Sequence, residues 1–290
     1  MLKQLLCLNP WALTNNVKSG ELIALEDHKD SLIINLDREA NSKLEIDVSN
    51  LAQDLMWRYL VTSYRKGTTK VIIKFKDEKE LTIIQDLVKD LLGMVIVEQN
   101  ENTLVMTDMF INNNDIDASL KKIFKLLIHL SQTCHKAIKD QDHLSLKNIP
   151  YQDFNINKFT NLSIRLLNIN GYEDRDKAYS IYKIISLLEE MGDEYRRLSQ
   201  VYVRLGGKVN KKTLDCFEGI NGLLEQFHCL YYDFDKKDLK KFYENAQNTL
   251  KLLKESYEKG NGVDSQILSS LDTILHLIKN LCEENMVVKL

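Results

Sequence analysis

Ile181-Tyr-Lys-Ile184-Ile-Ser-Leu-Leu188-Glu189-Glu190-Met191-Gly192-Asp193-Glu-Tyr195-Arg196-Arg197-Leu198-Ser-Gln-Val-Tyr202-Val-Arg-Leu205 is the stretch that decides the fold. Apolar residues recur along it at Ile181, Ile184, Leu188, Met191, Tyr195, Leu198, Tyr202 and Leu205, in alternating steps of three and four. That spacing draws one continuous apolar seam down a long helix and suits it to packing in an antiparallel bundle.

The same rhythm extends in both directions. Ile116, Leu120, Ile123, Leu127, Leu130, Cys134 and Ala137 repeat it, as do Phe217, Ile220, Leu224, Phe227 and Tyr231, and again Ile267, Leu271, Ile274, Ile278 and Leu281. Asp153 to Asn168 and Asp238 to Tyr257 supply two further helices. Breaks are expected at Asn148-Ile149-Pro150, Asn170-Gly171, Gly206-Gly207 and Gly260-Asn261-Gly262. The reading is a bundle of about six helices, three on each side of Gly206-Gly207. The two halves are expected to be related. Setting Leu188 against Leu271 brings Ile184, Met191, Tyr195 and Leu198 onto Ile267, Ile274, Ile278 and Leu281, and Tyr151-Gln-Asp-Phe154 is echoed by Tyr231-Tyr-Asp-Phe234.

A different texture precedes Asn112-Asn113-Asn114. Glu21 to Leu25 and Ser31 to Leu36 read as a hairpin. Val48 to Tyr64 reads as a helix with Leu51, Leu55, Tyr59 and the neighbours of Leu60 on one side, ended by Gly67. Lys70 to Phe75 reads as a strand, Glu78 to Leu92 as a second helix, and Met94 to Glu98 and Thr103 to Thr107 as paired strands. The fold class is therefore an α+β N-terminal module over 1–112, followed by an all-α bundle over 113–290.

Composition narrows the function. The 290 residues carry 39 basic and 42 acidic side chains for a net charge of −3, which gives no whole-chain attraction to nucleic acid or anionic membrane. Hydrophobic residues make up 44%, enough for a sizeable core. The five cysteines, Cys7, Cys134, Cys216, Cys229 and Cys282, form no paired framework and read as small buried hydrophobes in a reducing compartment. No apolar run reaches the ~20 residues of a bilayer span, and the N-terminus is too short for a secretory core, so the cytoplasm is the expected location.

Enzyme motifs are missing. Gly206-Gly207 lacks the strand before it and the Lys-Ser/Thr after it that a phosphate-cradling loop needs. No nucleophile elbow and no H-E-x-x-H occur. The reading is of a protein that is not an enzyme.

One constellation could hold a cation. Glu189 and Asp193 stand four apart, so their carboxylates lie one above the other on a helix and could share a hard divalent ion. Relative to the seam both positions face outward. Gly192 beside them costs roughly 1 kcal/mol of helix propensity, which room for an ion or a packed neighbour would offset. Asp272 and His276 take the matching positions of the last helix, and both residue types ligate metals.

The run Leu188-Glu189-Glu190-Met191-Gly192-Asp193 resembles the "LERIGD" run of PhoU proteins, in which an E-x-x-x-D carboxylate pair marks the third helix of each three-helix repeat. The two-repeat layout agrees. Asn9-Pro10-Trp11 through Val17-Lys18-Ser19-Gly20-Glu21-Leu22 is similar to the AbrB/SpoVT-like element that precedes the helical part in the archaeal branch. The resemblance implies a homodimeric regulator of phosphate uptake that contacts a phosphate ABC transporter or a sensor kinase. It also implies metal ligands, which here would be Glu189, Asp193, Asp272, His276 and Asp153, holding Mg, Fe or Zn. The copy departs from the family where Asp153 is followed by Asn157 and Asp272 by His276. Asparagine is a weaker, neutral ligand, so the iron or zinc cluster of some PhoU proteins is not expected. The alternative is a transcriptional regulator that binds DNA through the N-terminal module. The hairpin half that should precede Asn9-Pro10 is missing, which argues against it.

Overall fold

The computed structural model describes residues 13–14, 23–28, 31–36, 43–109, 115–172, 174–258 and 262–290. The Asn9 to Leu22 stretch that carries the AbrB-like resemblance lies almost wholly outside them.

Strands β1 (Ile23–His28) and β2 (Ser31–Leu36) form the expected antiparallel hairpin, with Ile23 opposite Leu36. A second sheet follows. β3 (Lys43–Asp47) runs parallel to β4 (Lys70–Lys74), and helix α1 (Gln53–Arg65) makes the crossover between them. Helix α2 (Glu78–Val88) then leads to β5 (Met94–Gln99) and β6 (Thr103–Asp108), and the strand order is β3-β4-β6-β5. β3 was not anticipated, because Lys-Leu-Glu-Ile-Asp carries only two apolar residues.

One face of this sheet makes a core. Val71, Ile73, Leu104 and Met106 are buried against Met56, Leu60 and Tyr64 of α1 and Leu81, Ile84 and Val88 of α2. This corrects the expected face of α1, since Leu55 and Tyr59 are exposed while Met56 and Leu60 face inward. Asp77 caps α2, its side chain accepting from the Lys79 and Glu80 amides.

The bundle is built from α3 (Ile116–Asp140), α4 (His143–Asn170), α5 (Ala178–Leu205), α6 (Lys211–Tyr232), α7 (Lys236–Tyr257) and α8 (Gly262–Lys289). A short 3₁₀ turn at Arg175–Lys177 precedes α5. The break expected at Asn148-Ile149-Pro150 falls earlier, and α4 runs straight through Pro150. Gln141 adopts a left-handed φ of 57° that stops α3, and Asp142 accepts from the Leu144 and Ser145 amides to start α4. The helix therefore starts at its cap and carries Pro150 in its interior, without the one amide a proline lacks.

Helices α3, α4 and α5 pack on one another, as do α6, α7 and α8. The trios meet through α3 against α6 and α5 against α8. The α5 seam is buried from Ile181 to Tyr202. Where the trios join, Tyr195 stacks on Phe217 with centroids 6.0 Å apart. Its hydroxyl donates to Asn221 Oδ1 at 2.9 Å, and Asn221 Nδ2 donates to the Ser131 carbonyl at 3.0 Å. Such a satisfied polar pin fixes the register of α3, α5 and α6 within an otherwise apolar core. Cys134, Cys216 and Cys282 are buried as expected, whereas Cys229 is exposed.

Candidate functional site: a carboxylate cluster under two arginines

Helix α4 is the element on which the site depends, because it packs against α3, α5 and α1 at once. Enclosed on several sides, it buries polar groups whose partners have to come from the elements around it. On the α1 side, Lys158, Asn161, Arg165 and Asn168 form a stripe at steps of three, four and three. Lys158 pairs with Asp90 at 3.2 Å. Arg165, whose side chain is only 2% exposed, reaches Asp108 at 2.5 Å and donates to the carbonyls of Tyr64 (2.7 Å) and Thr68 (3.1 Å). Its guanidinium also lies 4.8 Å from the Tyr64 ring centroid. Asn168 Nδ2 donates to the Arg65 carbonyl at 2.7 Å. Gly67 ends α1 with a φ of 89°, and a Cβ there would come within 2.7 Å of Ile169 on α4. Its lack of a side chain lets the module close onto the helix. None of these contacts was anticipated from sequence. Their signal was four polar residues at heptad spacing on one long helix.

At the centre of this interface lies the run singled out by sequence. Glu189 does not face open solvent. It is half-buried and receives Arg65 of α1 on both oxygens, at 3.0 and 3.2 Å, while Arg65 Nε donates to Asn161 at 2.6 Å. The heptad reading considered one packing partner, and α5 has several. Asp153 of α4 is 1% exposed and lies directly against Gly192, where a Cβ would come within 2.7 Å of its Oδ1. Gly192 is therefore kept bare by a neighbouring carboxyl. Arg196, one turn on, pairs with Asp153 Oδ2 at 2.9 Å and donates to Asp193 Oδ1 at 2.6 Å. Arg197 pairs with Glu194 and donates to Ser270 of α8 at 3.1 Å.

Burial dominates the electrostatics. It pushes the Asp153 carboxyl up to about 7, helped by the Asp193 and Glu189 charges and opposed by Arg196. Burial raises Glu189 as well, against the pull of Arg65. Asp153 Oδ1 and Asn157 Oδ1 are buried acceptors with no hydrogen-bond partner among the described residues. A proton on Asp153 converts one of these acceptors into a donor, which accords with the direction of its shift.

The orphaned Asp153 oxygen and the bare Gly192 would suit a cation. The remaining geometry does not, since Glu189 is taken on both oxygens by Arg65, and Arg196 bridges Asp153 to Asp193. A divalent ion would have to displace both guanidiniums. Asp272 and His276 stand on α8 beside one another, with His276 Nδ1 2.8 Å from the Asp272 carbonyl and 3.5 Å from its carboxylate. Among the described residues no three His, Cys, Asp or Glu side chains gather as a group able to hold a metal. The cluster in this structure fits two internal arginines.

Fold and site together define a six-helix bundle clasped to a small α/β module. Among solved structures, the chain is similar to the phosphate transport system regulatory protein PhoU from Streptococcus pneumoniae, with a TM-score of 0.52 and 15% identity over 60% of this chain and 93% of that one. At that identity the likeness is one of fold, a PhoU-like helical bundle. No family model matches the chain, and no curated protein matches its sequence. No helix among the described residues is long and apolar enough to cross a membrane.

Proposed function

We propose that this chain regulates phosphate uptake and intracellular phosphate homeostasis, working in the cytoplasm by protein–protein contact rather than by catalysis. The observation that carries the reading is the bundle itself. It shares its fold with a phosphate transport system regulatory protein, and it carries the Glu189 to Asp193 run in the third helix of its first trio. On this reading the chain is a homodimeric PhoU-type regulator of the archaeal kind, with an AbrB-like element ahead of the α/β module. Its two trios are repeats of one unit. Its partner is a phosphate ABC transporter or a sensor kinase, engaged through helix faces.

The buried polar interface gives the mechanism its physical content. Arg165 and Arg65 tie the α/β module to α4 and α5 through charged hydrogen bonds, so a partner that binds either body is felt by the other. The experiment is affinity capture of the full chain from phosphate-replete and phosphate-starved cells. Recovery of a phosphate transporter or kinase component under one condition and its loss under the other supports the reading. Recovery of neither under both conditions overturns it.

A further inference from the structure

The two edges of the α/β sheet are treated very differently. At the β5 edge the ladder is interrupted by an irregularity between Ile96 and Glu98, a common device for stopping edge-to-edge pairing. β3 has no such bulge, and what guards it is charge, carried by the exposed Lys43, Glu45 and Asp47. Its pairing with β4 is regular over all five residues, and it contains no proline or glycine.

The parity of the hydrogen bonds shows which groups are free. Val48 N donates to the Lys74 carbonyl at 2.9 Å, in a parallel register that sets Ile46 beside Ile73 and Leu44 beside Val71. Even-numbered residues therefore bond to β4, and the backbone groups of Lys43, Glu45 and Asp47 point away from the sheet. Among the described residues nothing pairs with that outer edge.

Beside the edge lies an apolar groove of about 370 Å³, lined chiefly by Leu44, Ile46, Leu55, Tyr59 and Thr62, with Arg58 and Lys66 at its margin. Leu55 and Tyr59 are the α1 side chains that the sequence put on one side of this helix with Leu51. They are 42% and 45% exposed, four residues apart on one helix face.

We propose that two copies of this chain pair edge to edge through β3, antiparallel and centred on Glu45. The segment Lys43-Leu-Glu-Ile-Asp47 is complementary to its own reverse. In that register each Lys43 stands opposite the partner's Asp47 and each Leu44 opposite the partner's Ile46, in accord with the self-complementarity that a two-fold interface demands. Glu45 meets its own symmetry mate, but Lys74 pairs with each copy at 2.5 Å and offsets the repulsion. The register uses the outward amides of Lys43, Glu45 and Asp47, the set left free by β4. It also brings the two grooves together, so that Leu55 and Tyr59 of both copies cover one another. The two sheets become one continuous sheet across the dyad. The inference names the surface of the homodimer proposed above, and it stands on the sheet edge alone, without the phosphate reading.

Sedimentation velocity of the full chain over a dilution series tests it. The wild type is expected to be a dimer that dissociates in the micromolar range, as suits a small interface. Lys43→Glu and Asp47→Lys each set like charges opposite one another twice per dimer, and each should weaken association roughly tenfold. The double variant restores both pairs and should recover to within about threefold of wild type. Glu45→Pro removes an amide that faces away from β4 and should leave a folded monomer by far-ultraviolet circular dichroism. If Glu45→Pro fails to fold, the charge variants, which alter only exposed side chains, decide the matter. A wild type that stays monomeric throughout overturns the proposal. So does a dimer that no variant weakens, or one that the double variant fails to restore.

Discussion

Replacing Arg165 by alanine should uncouple the two hydrophobic cores. The side chain is 2% exposed and holds Asp108 together with the Tyr64 and Thr68 carbonyls, all across the boundary between the α/β module and α4. Truncation removes the cation while the carboxylate and carbonyls stay largely shielded from water, a change that costs about 3–5 kcal/mol when one partner of a buried pair is lost. Against a total folding stability of about 5–15 kcal/mol, that is enough to separate the module's unfolding from the bundle's. Trp57 reports on the module, since it packs against that core. With Trp11→Phe as background, it becomes the one tryptophan of a chain that has two. Urea unfolding followed by Trp57 fluorescence and by far-ultraviolet circular dichroism should coincide in the parent. In Arg165→Ala the fluorescence transition should move to lower urea, ahead of the helical signal. Coincident transitions with a loss below about 1 kcal/mol would refute the claim that Arg165 clamps the module to the bundle.

Three further outcomes follow from the carboxylate cluster. The Asp153 carboxyl sits at about 7 in the fold and near 3.8 when unfolded, so the folded state holds more protons between those values. Its contribution to stability therefore falls as pH rises from about 4 to about 7, by up to about 1.4 kcal/mol per pH unit, and Asp153→Asn should flatten that slope in pH-dependent denaturation. An unchanged slope would show that Asp153 is ionised throughout. Gly192→Ala gains about 1 kcal/mol of helix propensity but drives a methyl against a pinned carboxyl, and overpacking of about 1–3 kcal/mol should leave a net loss in melting experiments. A more stable variant would mean that Asp153 can swing clear. Treatment with EDTA should leave the melting temperature unchanged, because Arg65 and Arg196 already occupy the oxygens of Glu189, Asp153 and Asp193 that a metal would need. A drop of several degrees, with stoichiometric Fe, Zn or Mg in the untreated protein, would show that a metal takes their place.

What the sequence made legible follows the reach of its signals. Seams as long as Ile181 to Tyr202 announce their helices because each step of three or four repeats one physical demand. Pro150 misled because a proline is a strong local signal, and the Asp142 cap that overrode it involves only a short polar turn. β3 was illegible for a related reason, since an edge strand with three charged residues in five has little apolar alternation to show. The Glu189 to Asp193 run lies on a long helix as its spacing implied, but Glu189 does not face outward. Heptad positions describe a helix against one neighbour, and Arg65 arrives from a strand-helix unit more than a hundred residues away. The stripe Lys158, Asn161, Arg165 and Asn168 carried the complementary clue, as polar residues spaced like a core seam mark a buried polar interface.

The central claim, that this chain couples phosphate status to phosphate uptake, is tested most directly by the initial rate of orthophosphate uptake. It would be measured in cells with and without the protein, each grown starved and replete. With the protein present, uptake should be high in starved cells and low in replete ones. Without it, the account predicts that the two rates converge, and restoring the full chain should separate them again. Equal responses to starvation in both strains would contradict it.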